Sequence, residues 1–283
     1  MNGFLSDEWL HGVCAQPDRL WLRREGPLPL ALEFRHRYGL RTLGMPPWTP
    51  VYRWEEFSKK QRSSRYAAFD AALRDLLRAL PRRDAVQISF MVEAPESLLM
   101  ACRWEGFRVF PRLVYQLDLA EVSDDPAALL NRNHRRDLRH ARAQTNWQTR
   151  DLHQSEDFTR FARHYHALGT RLFVDEERYR RVVQFDGVRA RGIFNAVGEC
   201  LAGLVTLRDG DRVYAQINYQ QRRPADRGAL VRLYLEEMAY WRNAGVRIFN
   251  FNGSMLPGVE GFLRGFGGER TVRYYVRRRW FGF

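Results

Sequence analysis

The sequence predicts an α/β fold with mixed sheets, made of two copies of one module. The same order of helix, strand, helix and strand occurs in each half of the chain, and each half begins with two paired strands. A chain of 283 residues is long enough for two domains of ordinary size. We therefore expect one module at residues 1–122 and a second at residues 123–283.

In the first half, strands at 20–24 and 28–38 flank the turn residues 25–27. Apolar residues recur at helical spacing from Arg65 to Leu80, and Pro81 ends this helix. The remaining elements follow in the order strand, helix and strand, at residues 85–91, 97–104 and 108–119.

The second half repeats this order. Strands at 201–207 and 212–219 flank Asp209-Gly210, which is a strong hairpin signal. The amphipathic stretch Ala229–Asn243 predicts a helix, and Gly245 suits the position just after it. The last elements are again a strand, a helix and a strand, at residues 246–251, 259–266 and 271–280.

The composition indicates an ordered chain with a strong positive charge. Hydrophobic residues make up 45% of the sequence and aromatic residues 13%, which supports packed cores. The net charge is +13, and arginine supplies almost all of the cations, because Lys59 and Lys60 are the only lysines. Such a charge favours anionic partners: RNA, nucleotide-linked or phosphorylated substrates, or an anionic membrane surface.

Several other classes of protein are not indicated. Cys14, Cys102 and Cys200 lack the spacing of a disulfide framework or a zinc site, and we predict no metal. No apolar run approaches the length of a membrane span, and the first nine residues lack the basic-then-apolar pattern of a signal peptide. We therefore expect a cytoplasmic protein.

An arginine-rich helix is predicted at the boundary between the halves. Asp124-Asp125-Pro126 suits a helix start, and residues 129–142 follow with a thin apolar stripe and Asp137 as the only acid. Helices this basic hold phosphates or pack on an acidic partner, so Arg135 and Arg136 are candidate substrate-binding residues. The alternative is a solvated helix face without function.

The end of the next-to-last predicted strand is the strongest candidate site. Asn252, Gly253 and Ser254 follow this strand, and small residues there let the backbone approach a ligand closely. Asn252 and Ser254 are therefore candidate substrate-binding residues. In the next helix, Glu260 is a candidate proton acceptor, and Arg264 is expected to point at the same pocket. The alternatives are an ordinary strand-to-helix turn, a first-turn acid favoured by the helix dipole, and a solvated arginine.

The strand at 212–219 supplies a second group of candidates. Its period of two predicts that Tyr214, Gln216 and Asn218 share one face and that Tyr219 lies on the other. We expect these side chains to bind substrate, and Tyr214 to donate a proton to a leaving group. The alternative is that both tyrosines are half-buried packing residues.

Four segments resemble the FemAB-like, or BioF2-like, branch of the GNAT superfamily of acyltransferases. They are residues 44–50, the helix at 132–141, the strand end at 249–254, and residues 258–269 with their Phe-x-Arg-Gly-Phe-Gly-Gly-Glu ending. The resemblance implies two tandem GNAT-like modules with the acyl-CoA N-acyltransferase fold, and an active site in the second.

The resemblance also implies an activity. It is the direct transfer of an acyl or aminoacyl group to an amine acceptor, which is nucleotide-linked or a peptide. Characterised FemAB relatives take the aminoacyl group from charged tRNA, and other GNAT proteins use acyl-CoA. Either donor is expected here as a co-substrate, without a permanently bound cofactor.

Roles for single residues follow from the same resemblance. Arg264 matches a basic residue that FemAB enzymes use in substrate binding or catalysis, and Trp48 lies in the first matching segment as a substrate-binding candidate. Arg227, Gly228 and Ala229 lie where GNAT enzymes bind the pyrophosphate of CoA. The usual Arg/Gln-x-x-Gly-x-Gly/Ala spacing is absent at this place.

One residue departs from the family pattern, since relatives often carry Asp where this chain has Asn250. The change removes a carboxylate at that point. A second hypothesis is therefore kept beside the enzyme: a non-catalytic GNAT-fold protein that binds RNA or phosphorylated glycans through the arginine-rich helix. Salt-dependent RNA binding without transfer from any donor would distinguish it.

Overall fold

The computed structural model describes residues 3–14, 20–24, 28–37, 40–54, 62–80, 87–94, 96–122, 125–153, 155–167, 176–221, 223–253 and 257–280. The chain divides into two compact units. The first unit is Met1–Arg112 with Val272–Phe283, and the second is Leu113–Thr271. These units are defined by compactness, whereas the modules at 1–122 and 123–283 are defined by the repeated order of their helices and strands. The division into modules therefore stays a prediction.

The described residues form eight α-helices and twelve β-strands. The helices are α1 (Asp7–Val13), α2 (Arg62–Ala79), α3 (Glu96–Trp104), α4 (Arg132–Arg142), α5 (Ser155–Ala167), α6 (Glu176–Val182), α7 (Ala229–Asn243) and α8 (Pro257–Arg264). The strands are β1 (Leu20–Arg23), β2 (Leu30–Arg37), β3 (Leu40–Gly44), β4 (Tyr52–Arg53), β5 (Gln87–Glu93), β6 (Arg108–Asp118), β7 (Gln148–Asp151), β8 (Val188–Phe194), β9 (Cys200–Asp209), β10 (Arg212–Gln220), β11 (Ile248–Asn250) and β12 (Glu269–Arg279). Among these helices, none has the length and apolar character that crossing a membrane requires.

The α7–β11 segment shows both a correct prediction and a misplaced boundary. The helix predicted at 229–243 is observed as α7 with the same bounds. β11 is shorter than the strand predicted at 246–251. The reason is that the N–H of Val246 donates to the carbonyl of Trp241 at 2.9 Å, so this residue closes α7 instead of extending the strand.

The first unit contains a mixed sheet in the order β1–β2–β3–β5–β12. β3 pairs in parallel with the start of β5, and the short β4 pairs in parallel with its end, at Val92 and Glu93. The segment that joins β3 to β4 is buried, with Trp48 only 4% exposed. The space beside the end of β5 is therefore filled by this unit's own chain.

The second unit contains the sheet order β6–β11–β10–β9–β8–β7, in which β10 and β11 are parallel and the other pairs are antiparallel. α7 packs on one face of this sheet, and α4 packs on α7. The apolar core between them includes Tyr234, Phe251 and Phe266. On the other face, Phe161 of α5 covers Gly203, where a Cβ would overlap the ring.

A β-bulge in β10 changes which side chains share a face. Ala215 opposes Thr206 of β9, but Ile217 opposes Val205, so Gln216 lies outside the ladder. The inserted residue reverses the alternation. As a result, Asn218 opposes Leu204 of β9, which belongs to the apolar core with α7, and its side chain faces this helix.

The tyrosines of β10 lie on the opposite face from Asn218. Tyr219 contacts Phe161 of α5, with ring centroids 6.2 Å apart. Tyr214 opposes Leu207 of β9. The neighbouring Thr206 faces α7, because its hydroxyl oxygen accepts a hydrogen bond from Nε1 of Trp241 at 2.9 Å. Leu207 and Tyr214 therefore face away from α7. The prediction of a shared face for Tyr214 and Asn218 was wrong, because strict period-two spacing does not survive a bulge.

Candidate functional site

We call the place where β10 and β11 stop pairing the strand-end site. Parallel pairing ends at Tyr214 and Asn250. Beyond this point Asn252 bridges the strands, because its Nδ2 donates to the carbonyl of Ala215 at 2.7 Å and to Oε1 of Gln216 at 3.3 Å. The predicted substrate-binding pair Asn252 and Gln216 is thus brought together at the bulge.

Asn250 is the least satisfied polar group at the strand-end site. It is fully buried, and its Oδ1 accepts a hydrogen bond from the N–H of Asn252 at 2.8 Å, which fixes the orientation of the amide. Its Nδ2 has no hydrogen-bond partner in the described part of the chain. Since an unpaired buried donor costs about 1–3 kcal/mol, Asn250 presents a donor that the free protein does not use.

The residues after Asn250 have special backbone requirements. Asn252 has a φ of +55°, in the left-handed region that asparagine tolerates better than most residues. At Gly253, a Cβ would overlap the carbonyl oxygen of Leu113 in β6. Close approach of β6, and not of a ligand, therefore explains the glycine. The candidate Ser254 lies outside the described residues.

The helix α8 places two of the candidate residues, Glu260 in its first turn and Arg264 in its last. The hydroxyl of Tyr115 in β6 donates a hydrogen bond to Oε1 of Glu260. This bond raises the pKa of Tyr115, and burial and the charge of the carboxylate add to the effect, while Arg264 and Arg270 oppose it. Tyr115 therefore stays protonated and holds the carboxylate in place.

Tyr115 also links α8 to the strand-end site. Its side chain is 3% exposed, and its backbone N–H donates to the carbonyl of Asn252 at 3.1 Å. Sequence reasoning missed this residue, since Tyr115 and Glu260 are 145 positions apart and no local motif connects them. Arg264 is exposed and forms no ion pair with the described residues, so its charge is available to a ligand.

A buried histidine of α4 holds the end of α8. Nε2 of His134 lies 2.9 Å from the carbonyl oxygen of Phe262 and donates to it in the tautomer that carries the proton there. The ring packs between Phe262 and Phe266, with centroids 4.9 and 4.7 Å away. Burial lowers the pKa of His134, which favours the neutral ring. A Cβ at Gly265 would lie 2.6 Å from this ring, so the glycine beside Arg264 is required by packing.

The start of α7, with the donor-binding candidates Arg227, Gly228 and Ala229, is packed against α4. Gly228 caps the helix with a φ of +84°, and a Cβ there would overlap the carbonyl oxygen of Asp137. Ala229 is buried, and Arg227 is exposed without an ion pair among the described residues. One face of this helix terminus is therefore closed by α4.

One N–H group in the first turn of α7 and the loop before this helix are also engaged. The N–H of Leu230 donates to Oε1 of Gln220 at 3.3 Å. Arg223 is held by Asp226 and by Glu199. These contacts remove one backbone donor that a pyrophosphate would use at this helix terminus.

The outer face of α4 is densely cationic. Its buried stripe is His134, Leu138 and Ala141. Its five exposed arginines are Arg132, Arg135, Arg136, Arg139 and Arg142. Nε of Arg136 lies 3.5 Å from Asp137, and the other four have no carboxylate partner among the described residues. The structure thus places the candidates Arg135 and Arg136 on an open surface.

The remaining candidates are placed as follows. Tyr214 is fully buried and Tyr219 is 4% exposed, and burial raises the pKa of Tyr219. Asn218 is half-buried on the face of β10 that packs against α7. Trp48 belongs to the buried segment of the first unit. In the described ranges, no three His, Cys, Asp or Glu side chains converge as a metal site would require.

Comparisons with known proteins find similarity in structure. No protein-family model matches the chain, and no curated protein sequence does. The structure of FemX is similar, with 13% identity, coverage of 96% of this chain and 91% of that chain, and a TM-score of 0.67.

Two further structures extend this similarity. L-PGS from Bacillus licheniformis has 12% identity, coverage of 89% and 82%, and a TM-score of 0.57. A tandem GNAT protein from the clavulanic acid biosynthesis pathway has 15% identity, coverage of 95% and 86%, and a TM-score of 0.52. The mixed α/β units and these similarities show that the chain has a FemX-like tandem GNAT fold.

Proposed function

We propose that the protein is an N-acyltransferase that moves an aminoacyl or acyl group directly onto an amine, with aminoacyl-tRNA as the favoured donor. The fold shared with FemX and with a tandem GNAT protein supports the reaction class. The observation that carries the choice of donor is the packing of α4 against the start of α7. The acceptor is an amine on a peptide or on a nucleotide-linked substrate.

The choice between donors depends on where phosphate can bind. A CoA pyrophosphate needs free N–H groups at a helix N-terminus. At α7 the Leu230 N–H is taken by Gln220, and α4 covers Gly228. By contrast, Arg135 and Arg139 on α4 are exposed without carboxylate partners among the described residues. This arrangement suits a long anionic backbone better than a single pyrophosphate.

Direct transfer requires a neutral amine, a polarised carbonyl and an acceptor for the proton of the amine. We assign the carbonyl to the strand-end site, where Gln216 lies outside the ladder and Asn250 has an unused donor. Glu260 accepts the proton, held in place by Tyr115. Arg264, one turn later, binds an anionic part of the donor.

In this reaction the amine nitrogen bonds to the acyl carbon, and the bond from that carbon to the ribose oxygen of the tRNA breaks. Glu260 takes the proton from the nitrogen, and this proton is passed on to the leaving ribose oxygen, which restores the hydroxyl and returns Glu260 to a carboxylate. No covalent intermediate on the enzyme is needed. The proposal therefore predicts transfer without accumulation of an acylated protein.

The test uses the full-length protein with two donors in parallel, a pool of aminoacyl-tRNA carrying labelled amino acids and labelled acetyl-CoA, each with a mixture of free-amine peptides. We expect product from the tRNA pool that disappears with ribonuclease and falls with salt. The Arg135→Glu/Arg139→Glu variant should lose this activity, while Arg208→Glu, at an exposed position away from α4, should retain it. If the protein transfers from acetyl-CoA at a rate that the Arg135→Glu/Arg139→Glu change does not alter, acetyl-CoA is the donor instead.

A second candidate function is binding without chemistry. The same unpaired arginines of α4, together with Asn250 in place of a carboxylate, favour a protein that holds RNA or phosphorylated glycans. Salt-sensitive RNA binding that depends on α4, with no transfer from either donor, would establish this function and refute the enzyme.

A further inference from the structure

The first unit carries a sheet face on which aromatic rings alternate with arginines. Residues two apart in a strand point to the same side. The start of β6 presents one such row and β12 presents a second. We call this surface the Phe110–Tyr275 face, and its members are Arg108, Phe110, Arg112, Tyr275, Arg277 and Arg279.

Contacts between the rows show that both lie on the same side of the sheet. The ring centroids of Phe110 and Tyr275 are 6.2 Å apart, with an interplanar angle of 35°. The guanidinium of Arg277 lies 5.4 Å from the centroid of Phe110. Phe110 is 36% exposed, a high value for a large apolar ring in a strand, and Tyr275 is half-buried. The two rings therefore form a partly open aromatic surface with a cation over one of them.

The charge of this face is not neutralised by the protein. Arg108, Arg112, Arg277 and Arg279 have no carboxylate partner among the residues that the structure describes. Arg273 on the same strand is different, because it is 3% exposed and its Nε lies 2.7 Å from Glu93. Nε of Arg279 donates to Oε1 of Gln87 at 3.0 Å, which is a neutral partner. The strand thus contains an arginine with a structural ion pair, Arg273, and two on this face, Arg277 and Arg279, whose charge meets no carboxylate among the described residues.

We propose that the Phe110–Tyr275 face binds single-stranded RNA, with unpaired bases stacked on the two rings and phosphates on the arginines. Stacking on aromatic side chains within a cationic surface is the usual mode of single-strand binding, and it tolerates any sequence. A duplex hides its bases in its own stack and would use the arginines alone. An acidic peptide would satisfy the arginines but would give the flat rings no matching partner.

This inference does not depend on the proposed transfer reaction. The face lies in the first unit, whereas the strand-end site, α4 and α8 lie in the second. Loss of RNA binding through the Phe110–Tyr275 face would leave the assignments at Glu260 and Arg264 untouched. Failure of the transfer reaction would likewise leave this face to be tested by binding alone.

The test is fluorescence anisotropy of the full-length protein with a labelled 12-nucleotide oligouridine, and with a 12-base-pair RNA duplex as comparison. Phe110→Leu keeps apolar volume and removes the ring, so it separates stacking from folding. We expect Phe110→Leu and Tyr275→Ala each to weaken single-strand binding about fivefold or more. Arg277→Ala should also lower the slope of log affinity against log salt by about 0.7.

One control variant and a folding check accompany these measurements. Arg208→Ala should bind oligouridine like the wild type, and melting temperatures should confirm that all variants fold. Equal binding of the duplex and the single strand by the wild type would overturn the proposal. So would single-strand binding that survives Phe110→Leu and Tyr275→Ala, or that disappears with the α4 arginines alone. Binding to phosphatidylglycerol vesicles but not to oligouridine would assign the face to a membrane instead.

Discussion

Replacing Gly265 with alanine tests how α4 holds the helix that carries Arg264. The new Cβ would lie 2.6 Å from Cε1 and Nε2 of His134. The ring has no free direction of movement, because it packs between Phe262 and Phe266 and is hydrogen-bonded to the Phe262 carbonyl. Overpacking of this kind costs about 1–3 kcal/mol, and loss of the buried hydrogen bond costs about 1–3 kcal/mol more. We expect a total of roughly 2–6 kcal/mol.

The assay is thermal unfolding followed by circular dichroism, in which this loss corresponds to a fall in Tm of roughly 4–24 °C. Gly261→Ala is the matched control, since Gly261 lies inside α8, which ends just before Gly265, and the added Cβ would meet no neighbouring element within 4 Å. It should stabilise α8 by up to about 1 kcal/mol through helix propensity.

A double-mutant cycle identifies the partner of the added methyl group. In the presence of His134→Ala, Gly265→Ala should cost at least about 1 kcal/mol less than in the wild type, because the ring is gone. Additive effects of the two changes, or a Tm for Gly265→Ala equal to that of Gly261→Ala, would refute the close contact between the glycine and the ring.

Three further predictions concern other groups of the second unit. Gly228→Ala should lower Tm more than Gly245→Ala. Both glycines have a positive φ, but only at Gly228 would the added Cβ meet the backbone of α4. Equal losses of Tm would contradict the packing of α4 on α7. Burial lowers the pKa of His134, so below about pH 6.5 the unfolded chain binds more protons than the folded chain, and stability should drop as the pH falls. His134→Gln should show a smaller drop, and parallel pH profiles of the two proteins would contradict this. Asn250→Asp keeps the acceptor for Asn252 and loses the free donor, so transfer should fall at least about tenfold. Burial should raise the pKa of the new carboxyl, making this variant less stable relative to wild type at pH 8 than at pH 5, and a pH-independent difference would show that the position is hydrated.

Local patterns predicted the elements of the fold well where the signal was contained in a short stretch. The amphipathic spacing of Ala229–Asn243 and the glycine after it define α7 without error. The Asp209-Gly210 signal predicts the β9–β10 hairpin, in which Gly210 has a φ of +62°. Both signals are local, because hydrogen bonds and turn geometry within a few residues decide them.

The candidate site was predicted only in part, because its geometry depends on contacts distant in sequence. The bulge at Gln216 has no residue signature, so the faces of β10 were assigned wrongly. Tyr115 and His134 were missed because their partners lie 145 and 128 positions away. Gly253 was correctly noticed as special, but its reason, the approach of β6, appears only in the folded chain.

The single-turnover rate of transfer tests whether Glu260 of α8, held in place by Tyr115 of β6, accepts the proton of the attacking amine. The comparison is between Glu260→Gln and Glu269→Gln, a matched change at an exposed acid just beyond α8. We expect Glu260→Gln to slow transfer by about 10²–10⁴-fold, with donor binding and Tm close to those of the wild type. Glu269→Gln should leave the transfer rate nearly unchanged. A Glu260→Gln variant that transfers at the wild-type rate would contradict this role of Glu260.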